Sequence, residues 1–438
     1  MIDYCRLFIQ TAVFLIALVI YSTVQANNEL PGALQIKPIA IVGGKVFTVS
    51  HGIIDNGTVV FQNGKITAIG VNVEIPNNAE IIHAEGKYVY PGLIAPNTTL
   101  GLVEIDAVRA TQDYGETGLV NPDVRGDVAY NPDSEVPPTV RTNGITTAEI
   151  APQGGYVSGT SSLMNLDGWT REDMDVVPTL GVHVNWPSVS ISHGWWMTQS
   201  DEEQKKNIEK NLQTVFTFFR EAKAYYLAKK TDSNIAKDVR WEAMIPVFDD
   251  KEPLFIHADE LRQIESAIDF FEREQVRIVL VGGTDAWRIA PIIKAKNIPV
   301  ILGRVNATPR REEEDYDEGF TLPQKMHDAG IKFCLSENGS WPQRNLPFQA
   351  ATAVGFGLPE DTVLRAVTLS TAEILGVENR LGSLDTGKDA NIVVSNGDLL
   401  DLESNDVVEE FIEGRKVDLN NKQKDLYKKY EEKYSREK

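Results

Sequence analysis

An α/β fold is what this 438-residue sequence predicts, with a parallel sheet in the middle of the chain and a satellite sheet built from its two ends. Three observations predict it. Residues 254–302 alternate short apolar runs with helical spacing in the order β-α-β-α-β, which implies parallel strands joined by crossovers. Residues 36–90 are rich in β-formers and turn residues, and the same character returns in ANIVVSNGD (390–398) and VVEEFIEGRKV (407–417). The length exceeds a single ordinary domain, so one large barrel with a satellite, or two domains, is expected.

The elements follow in order. GTVVFQNGKITAIG (57–70) reads as a hairpin, because Asn63-Gly64 supplies a turn between two β-rich runs. Ser200-Asp-Glu-Glu203 is a capping box opening a long helix whose apolar face uses Ile208, Leu212, Val215, Phe216, Phe219 and Tyr226. LFIH (254–257) is a short strand. The helix after it places Leu261, Ile264, Ala267, Ile268 and Phe271 on one face. RIVLV (277–281) lacks alternation and reads as a strand buried on both faces. A helix over Asp285–Lys296, a strand IPVIL (298–302) and a strand IKFCL (331–335) complete the series. REEEDYDE (311–318) reads as a solvated charged loop. The tail, residues 420–438, reads as a surface helix laid on the body by Leu426, Tyr430 and Tyr434 at i, i+4, i+8.

Composition narrows the function. The hydrophobic fraction is 42% and the mean hydropathy −0.22, as in a globular, soluble chain. A formal charge of −20 repels phosphate backbones, so nucleic acid is not an expected partner. The two cysteines are Cys5 and Cys334. Cys5 lies in an apolar leader with Arg6 before Ala12–Ile20 and a small-residue site at Val24-Gln25-Ala26, which reads as a secretory signal peptide over 1–26. The mature protein is therefore expected outside the cytoplasm, periplasmic or extracellular, with no stable membrane span. Cys334, alone in the body, has no disulfide partner and no place in a cysteine zinc site.

If the middle closes as a TIM-type (β/α)8 barrel, reactive groups belong at the C-terminal ends of its strands. That singles out Asn97 and Thr99 after PGLI, His257 after LFI, the Val281-Gly282-Gly283-Thr284 turn after IVLV, and Ser336-Glu337-Asn338 after KFCL. Arg304, Arg310 and Arg311 stand near a strand end, where an arginine can bind a carboxylate. His183 and His193 are read either as nitrogen donors from neighbouring loops or, preferably, as a core histidine and a histidine in an aromatic loop. HGWW (193–196) can stack a planar substrate or form an aromatic cluster. Glu104, Asp106, Arg109 and Asp113 form either a polar rim or a surface loop.

PGLI with its polar loop, the NGITT…GG stretch at 143–155, and LPEDTVLRAVTLSTAEILGVENRLGSLDTGKDANIVV (358–394) resemble the amidohydrolase superfamily, closest to its imidazolonepropionase-like members. One departure is Asn391, where that family usually has Asp. The resemblance implies a TIM-type (β/α)8 barrel with a composite β-sandwich: 27–90 and 380–420 in the sandwich, 91–379 in the barrel, and a helical tail over 421–438. It also implies a divalent metal, zinc foremost. The family's H-x-H falls on Asn97 and Thr99, its strand-five histidine on His257, its strand-six histidine on Gly282 and its strand-eight aspartate on Asn338. Neutral amide and hydroxyl oxygens hold zinc poorly, and Asn338 cannot take a proton from water as Asp can. The expected site is thus reduced or rearranged: His257 as ligand, Glu337 and Asn338 in the catalytic positions, and Asn97, Thr99, His183 and Arg304 towards substrate. The activity expected is hydrolysis of a non-peptide C–N bond in a cyclic amide or small N-acyl compound. The alternative is a non-catalytic protein that binds a small molecule or a partner subunit, with homo- or hetero-oligomers expected in either case.

Overall fold

A computed structural model describes residues 30–194, 197–312 and 314–436. The leader at 1–26, Trp195 and Trp196 of HGWW, and Glu313 of the acidic run lie outside the described residues.

The first sheet draws on both ends of the chain. Its strands are β1 (Ile39–Phe47), β2 (Ile53–Gln62), β3 (Lys65–Gly70), β4 (Glu80–His83), β5 (Tyr88–Pro91), β14 (Ile392–Ser395), β15 (Val407–Ile412) and β16 (Arg415–Lys416). They run in the order β16-β15-β14-β5-β1-β2-β3, with β4 also paired to β1. The sandwich expected from sequence is therefore one hydrogen-bonded sheet that forks at β1 and folds over itself. Its enclosed core sets Phe61 of β2 against Phe411 of β15, ring centroids 5.0 Å apart. The β2–β3 turn is Asn63-Gly64, both with positive φ (51° and 74°), the geometry that only such residues adopt cheaply.

The second sheet is the barrel: β6 (Leu93–Thr98), β7 (Ile145–Ile150), β8 (Val157–Asn165), β9 (Asp175–Asn185), β10 (Leu254–Ala258), β11 (Ile278–Gly282), β12 (Val300–Leu302) and β13 (Phe333–Leu335), in sequence order. Its neighbours are parallel except at β8, which is antiparallel to both β7 and β9. The expected eight-fold β/α repeat is thus broken at its third strand. The reason is length. Only residues 151–156 join β7 to β8, and a parallel crossover needs about a dozen residues or more. Gly154 and Gly155, at φ +99° and +62°, let so short a loop reverse the chain.

Inside the barrel, Ile94, Leu163, Phe255, Val279, Val281, Ile301 and Cys334 form one apolar cluster. Burial pushes the Cys334 thiol pKa far up, so it stays protonated and inert. The capping box at Ser200 forms with both of its bonds and opens the helix Asp201–Thr231. The helix expected over 285–296 divides into a 3-10 turn, Ala286–Ile289, and an α-helix, Ala290–Ala295, with Pro291 in its first turn. Asn391 fastens the sheets together. Its amide donates to Thr147 Oγ1 (3.1 Å) and Asn165 Oδ1 (3.0 Å), and its oxygen accepts from Glu413 N (2.8 Å). A carboxylate cannot donate to Asn165, which accounts for Asn at this position.

The tail departs from expectation. The helix Lys422–Arg436 buries none of its residues, and Leu426, Tyr430 and Tyr434 are 44%, 49% and 57% exposed. Its base is held by Gln423, which accepts from Thr139 Oγ1 at 2.7 Å, and it then leaves the body.

Candidate active site

Strand parity builds the site. Phe255 points into the barrel, so His257, two residues on, shares that face and reaches the mouth. His183 of the neighbouring strand β9 stacks on Phe255 (4.6 Å, 14°). Its Nδ1 lies 2.9 Å from His257 Nε2, and its Nε2 lies 3.2 Å from Glu149 Oε1. Glu149, the penultimate residue of β7, is fully buried and also accepts from Ser161 Oγ (2.8 Å) and Asn97 N (2.9 Å). The acceptors set the protons. A carboxylate takes His183 Nε2–H, which leaves His183 Nδ1 as an acceptor, and so His257 Nε2 carries the hydrogen between the rings. His257 Nδ1 is then a lone pair, with no partner among the described residues. Burial first, and the neighbouring His183 second, pull the His257 imidazole pKa down to about 3, so it is neutral in ordinary conditions.

His257 lines a cavity of about 370 Å³ at the C-terminal ends of the strands, with Asn97, Asp259, Arg304 and Asn338 on the same wall. Arg304 Nε is 2.8 Å from Glu337 Oε1. The terminal N–H groups of Arg304 have no protein partner among the described residues. Glu337 sits behind Arg304 rather than on the wall. Burial raises its carboxyl to about 7 against the lowering pull of Arg304, and its Oε2 is buried without a hydrogen bond among the described residues. Thr99 is also off the wall, buried, with its N–H on Gly339 O (3.0 Å). His183 touches His257 but not the cavity. Three of the positions expected to face substrate or metal thus meet Asn338 on one surface (Asn97, His257 and Arg304), while Thr99, His183 and Glu337 stand behind it.

The donors do not fit a divalent metal. Asn97 Nδ2 donates to Asn338 Oδ1 (3.0 Å), so these two amides bind each other. His257 Nε2 is engaged with His183. Gly282 offers no side chain, and a Cβ there meets Asp259 Oδ1 at 2.4 Å. Among the described residues no group of three or more His, Cys, Asp or Glu is arranged to hold a metal.

Other sequence features take definite places. None of Glu104, Asp106, Arg109 and Asp113 lines the cavity; Glu104 accepts from Asn131 Nδ2 (3.1 Å). Arg310 pairs with Asp259 and Arg311 with Asp285, so both are structural bonds of the rim. His193 is exposed, 3.7 Å from Asp201. The acidic run is less solvated than expected: Glu314 and Glu318 line the cavity, and Glu318 is buried against Lys325. Sequence reasoning missed Glu149. Its signal was available, as a single acid near the C-terminal end of the otherwise uncharged run ITTAEI (145–150).

A barrel mouth with convergent polar groups, flanked by a sheet from both chain ends, is the architecture of a large class of hydrolases, and the comparisons place the chain within it. The amidohydrolase family profile matches residues 142–420. The imidazolonepropionase of Brevibacillus brevis is 23% identical over 403 residues, covering 81% of this chain and 86% of its own. That of Geobacillus sp. (strain WCH70) is 25% identical over 394 residues, covering 78% and 84%. The crystal structure of an amidohydrolase from Thermotoga maritima superposes with a TM-score of 0.76 at 26% identity, over 87% of this chain and 99% of that one. The chain belongs to the amidohydrolase family and is one of its imidazolonepropionase-like members. That family typically uses a divalent metal, which makes the poor fit of the donors here a property of this chain.

Proposed function

We propose that this chain is an exported hydrolase that opens the C–N bond of a small cyclic amide or N-acyl compound by a route in which His257 replaces metal-bound water as the source of basicity. One observation carries the reading: the series Glu149–His183–His257, its first two members buried, ends in an unpartnered nitrogen of the half-buried His257 on the cavity wall. His257 Nδ1 takes a proton from water as the water oxygen bonds to the amide carbon. His257 Nε2–H passes to His183 Nδ1, so the positive charge comes to rest beside Glu149. This offsets the low basicity that burial alone gives His257. The proton then returns through His257 Nδ1 to the departing nitrogen. General acid–base steps of this kind contribute on the order of 10²–10⁴ in rate. The free N–H groups of Arg304 suit a carboxylate on the substrate or the developing oxyanion.

A second reading, a binding protein without turnover, draws on the Asn97–Asn338 bond, which ties up two polar side chains of the cavity wall that would otherwise face a metal or substrate. The test is a panel of hydantoins, lactams and N-acyl amino acids, assayed with wild type, His257→Asn and Arg304→Ala after chelation. Turnover that survives chelation and is lost in His257→Asn supports the hydrolase. Calorimetric binding without turnover, abolished in Arg304→Ala, establishes the second reading instead. Turnover that returns only with added zinc overturns the metal-free route. Export rests on the apolar leader at 1–26, and cell fractionation tests it.

A further inference from the structure

Two surfaces of this chain are each uncovered among the described residues and match one another. The first is a groove of about 420 Å³ between the forked sheet and the barrel helices Leu346–Gly355 and Glu360–Ala366. Its floor is apolar, with Phe47 stacked on Tyr90 (4.5 Å, 19°) and with Ile53, Val354 and Leu400 beside them. Its rim carries Glu360, Asp361, Asp398 and Asp401, and none of these carboxylates is paired with a Lys or Arg among the described residues. The second surface is the tail helix, which exposes Leu426, Tyr430 and Tyr434 along one stripe. It carries six Lys and Arg against three Asp and Glu on a chain whose net charge is −20. Lys429 and Lys433 have no carboxylate partner among the described residues.

We infer that the tail helix of one copy docks in the acidic-rimmed groove of a second copy. Signs and chemistry agree: apolar stripe on apolar floor, unpaired lysines on unpaired carboxylates. Leu426, Tyr430 and Tyr434 fall on successive turns, spanning about 12 Å, which suits a groove rather than a pit. The helix cannot satisfy its own chain's groove while its base is held at Thr139 and all its residues stay exposed. Exchange between two copies buries both surfaces twice, as two-fold assemblies do.

Sedimentation velocity at micromolar concentration tests this on the chain with residues 422–438 present and removed. The expected result is a dimer, or a longer assembly if the exchange does not close, that dissociates when the tail is removed. Tyr430→Asp weakens association by roughly tenfold or more, because an exposed stripe residue costs the fold nothing. Lys429→Glu with Lys433→Glu disrupts it, Asp361→Lys with Asp401→Lys disrupts it, and mixing the two variants restores it. A monomeric wild type overturns the inference, as does a dimer that survives tail removal. So does a tail that crosslinks only to its own chain, or association that is indifferent to both charge reversals.

Discussion

Asn97 and Asn338, on opposite sides of the barrel seam, hold one another by a 3.0 Å amide hydrogen bond, and both stand in the left-handed region at φ +52° and +59°. Ser336 Oγ supports the pair from below, 3.1 Å from Asn338 Oδ1 and 2.8 Å from Pro96 O. Asparagine tolerates this backbone better than other non-glycine residues. Two residues at strand ends on the cavity wall are thus a latch between the first and last strands.

Gly282 extends the same point. Alanine there meets Asp259 Oδ1, which also accepts from Thr284 Oγ1, and must adopt φ +93°. Gly282→Ala is expected to cost about 1–2 kcal/mol in urea unfolding. Gly282→His is expected to gain no stoichiometric zinc in a metal assay. A tight zinc complex in that variant would show that Asp259 yields readily.

Glu149 gathers three donors in a site without solvent. Glu149→Ala leaves His183, Ser161 and the Asn97 N–H unpaired and is expected to cost at least about 3 kcal/mol. Glu149→Gln keeps the volume but turns an N–H2 towards one of these donors, so it is expected to cost less than Glu149→Ala while lowering turnover at least tenfold, since an amide cannot hold the charge on His183. Equal turnover in wild type and Glu149→Gln removes the relay from the mechanism.

His257 is neutral because burial disfavours its charged form. A folded pKa below the unfolded value near 6.5 gives stability that is present above pH 6.5 and is lost as pH falls towards 3. NMR of the ring should show no titration of His257 between pH 5 and 8. His257→Gln should lose less stability on acidification than wild type. A midpoint near 6.5 in the NMR titration contradicts this.

Glu337 has the opposite sense. Its folded pKa of about 7 exceeds the unfolded value, so its contribution is full below about pH 4.5 and is lost as pH rises through 7. Relative to Glu337→Gln, wild type should lose roughly 2–3 kcal/mol between pH 4.5 and 7.5. Parallel pH profiles for the two proteins would falsify that shift.

Much of this was legible in the chain. LFIH, RIVLV and the helix after His257 emerge where periodicity puts them, because strands buried on both faces leave unbroken apolar runs. His257 was legible as a strand-end residue. The reversal of β8 is not among the sequence expectations, although six residues between ITTAEI and VSGTSSLMN are too few for a crossover. Glu149 escaped because its partners His183 and Ser161 lie 34 and 12 residues away, a proximity that the side-by-side pairing of β7, β8 and β9 creates. The tail stripe was read correctly as apolar and wrongly as covered, since spacing reports a face but not what meets it.

The forked sheet has a consequence for how this chain is made. β5 lies between β1 and β14, yet the 300 residues from Gly92 to Asn391 separate β5 from β14 along the chain. Until the ribosome has delivered that last segment, one edge of β5 presents unpaired amides and carbonyls, the kind of edge that recruits other strands. A chain that stops before residue 392 therefore lacks the strand that covers this edge, and the sheet can be completed only after the whole barrel sequence has been made.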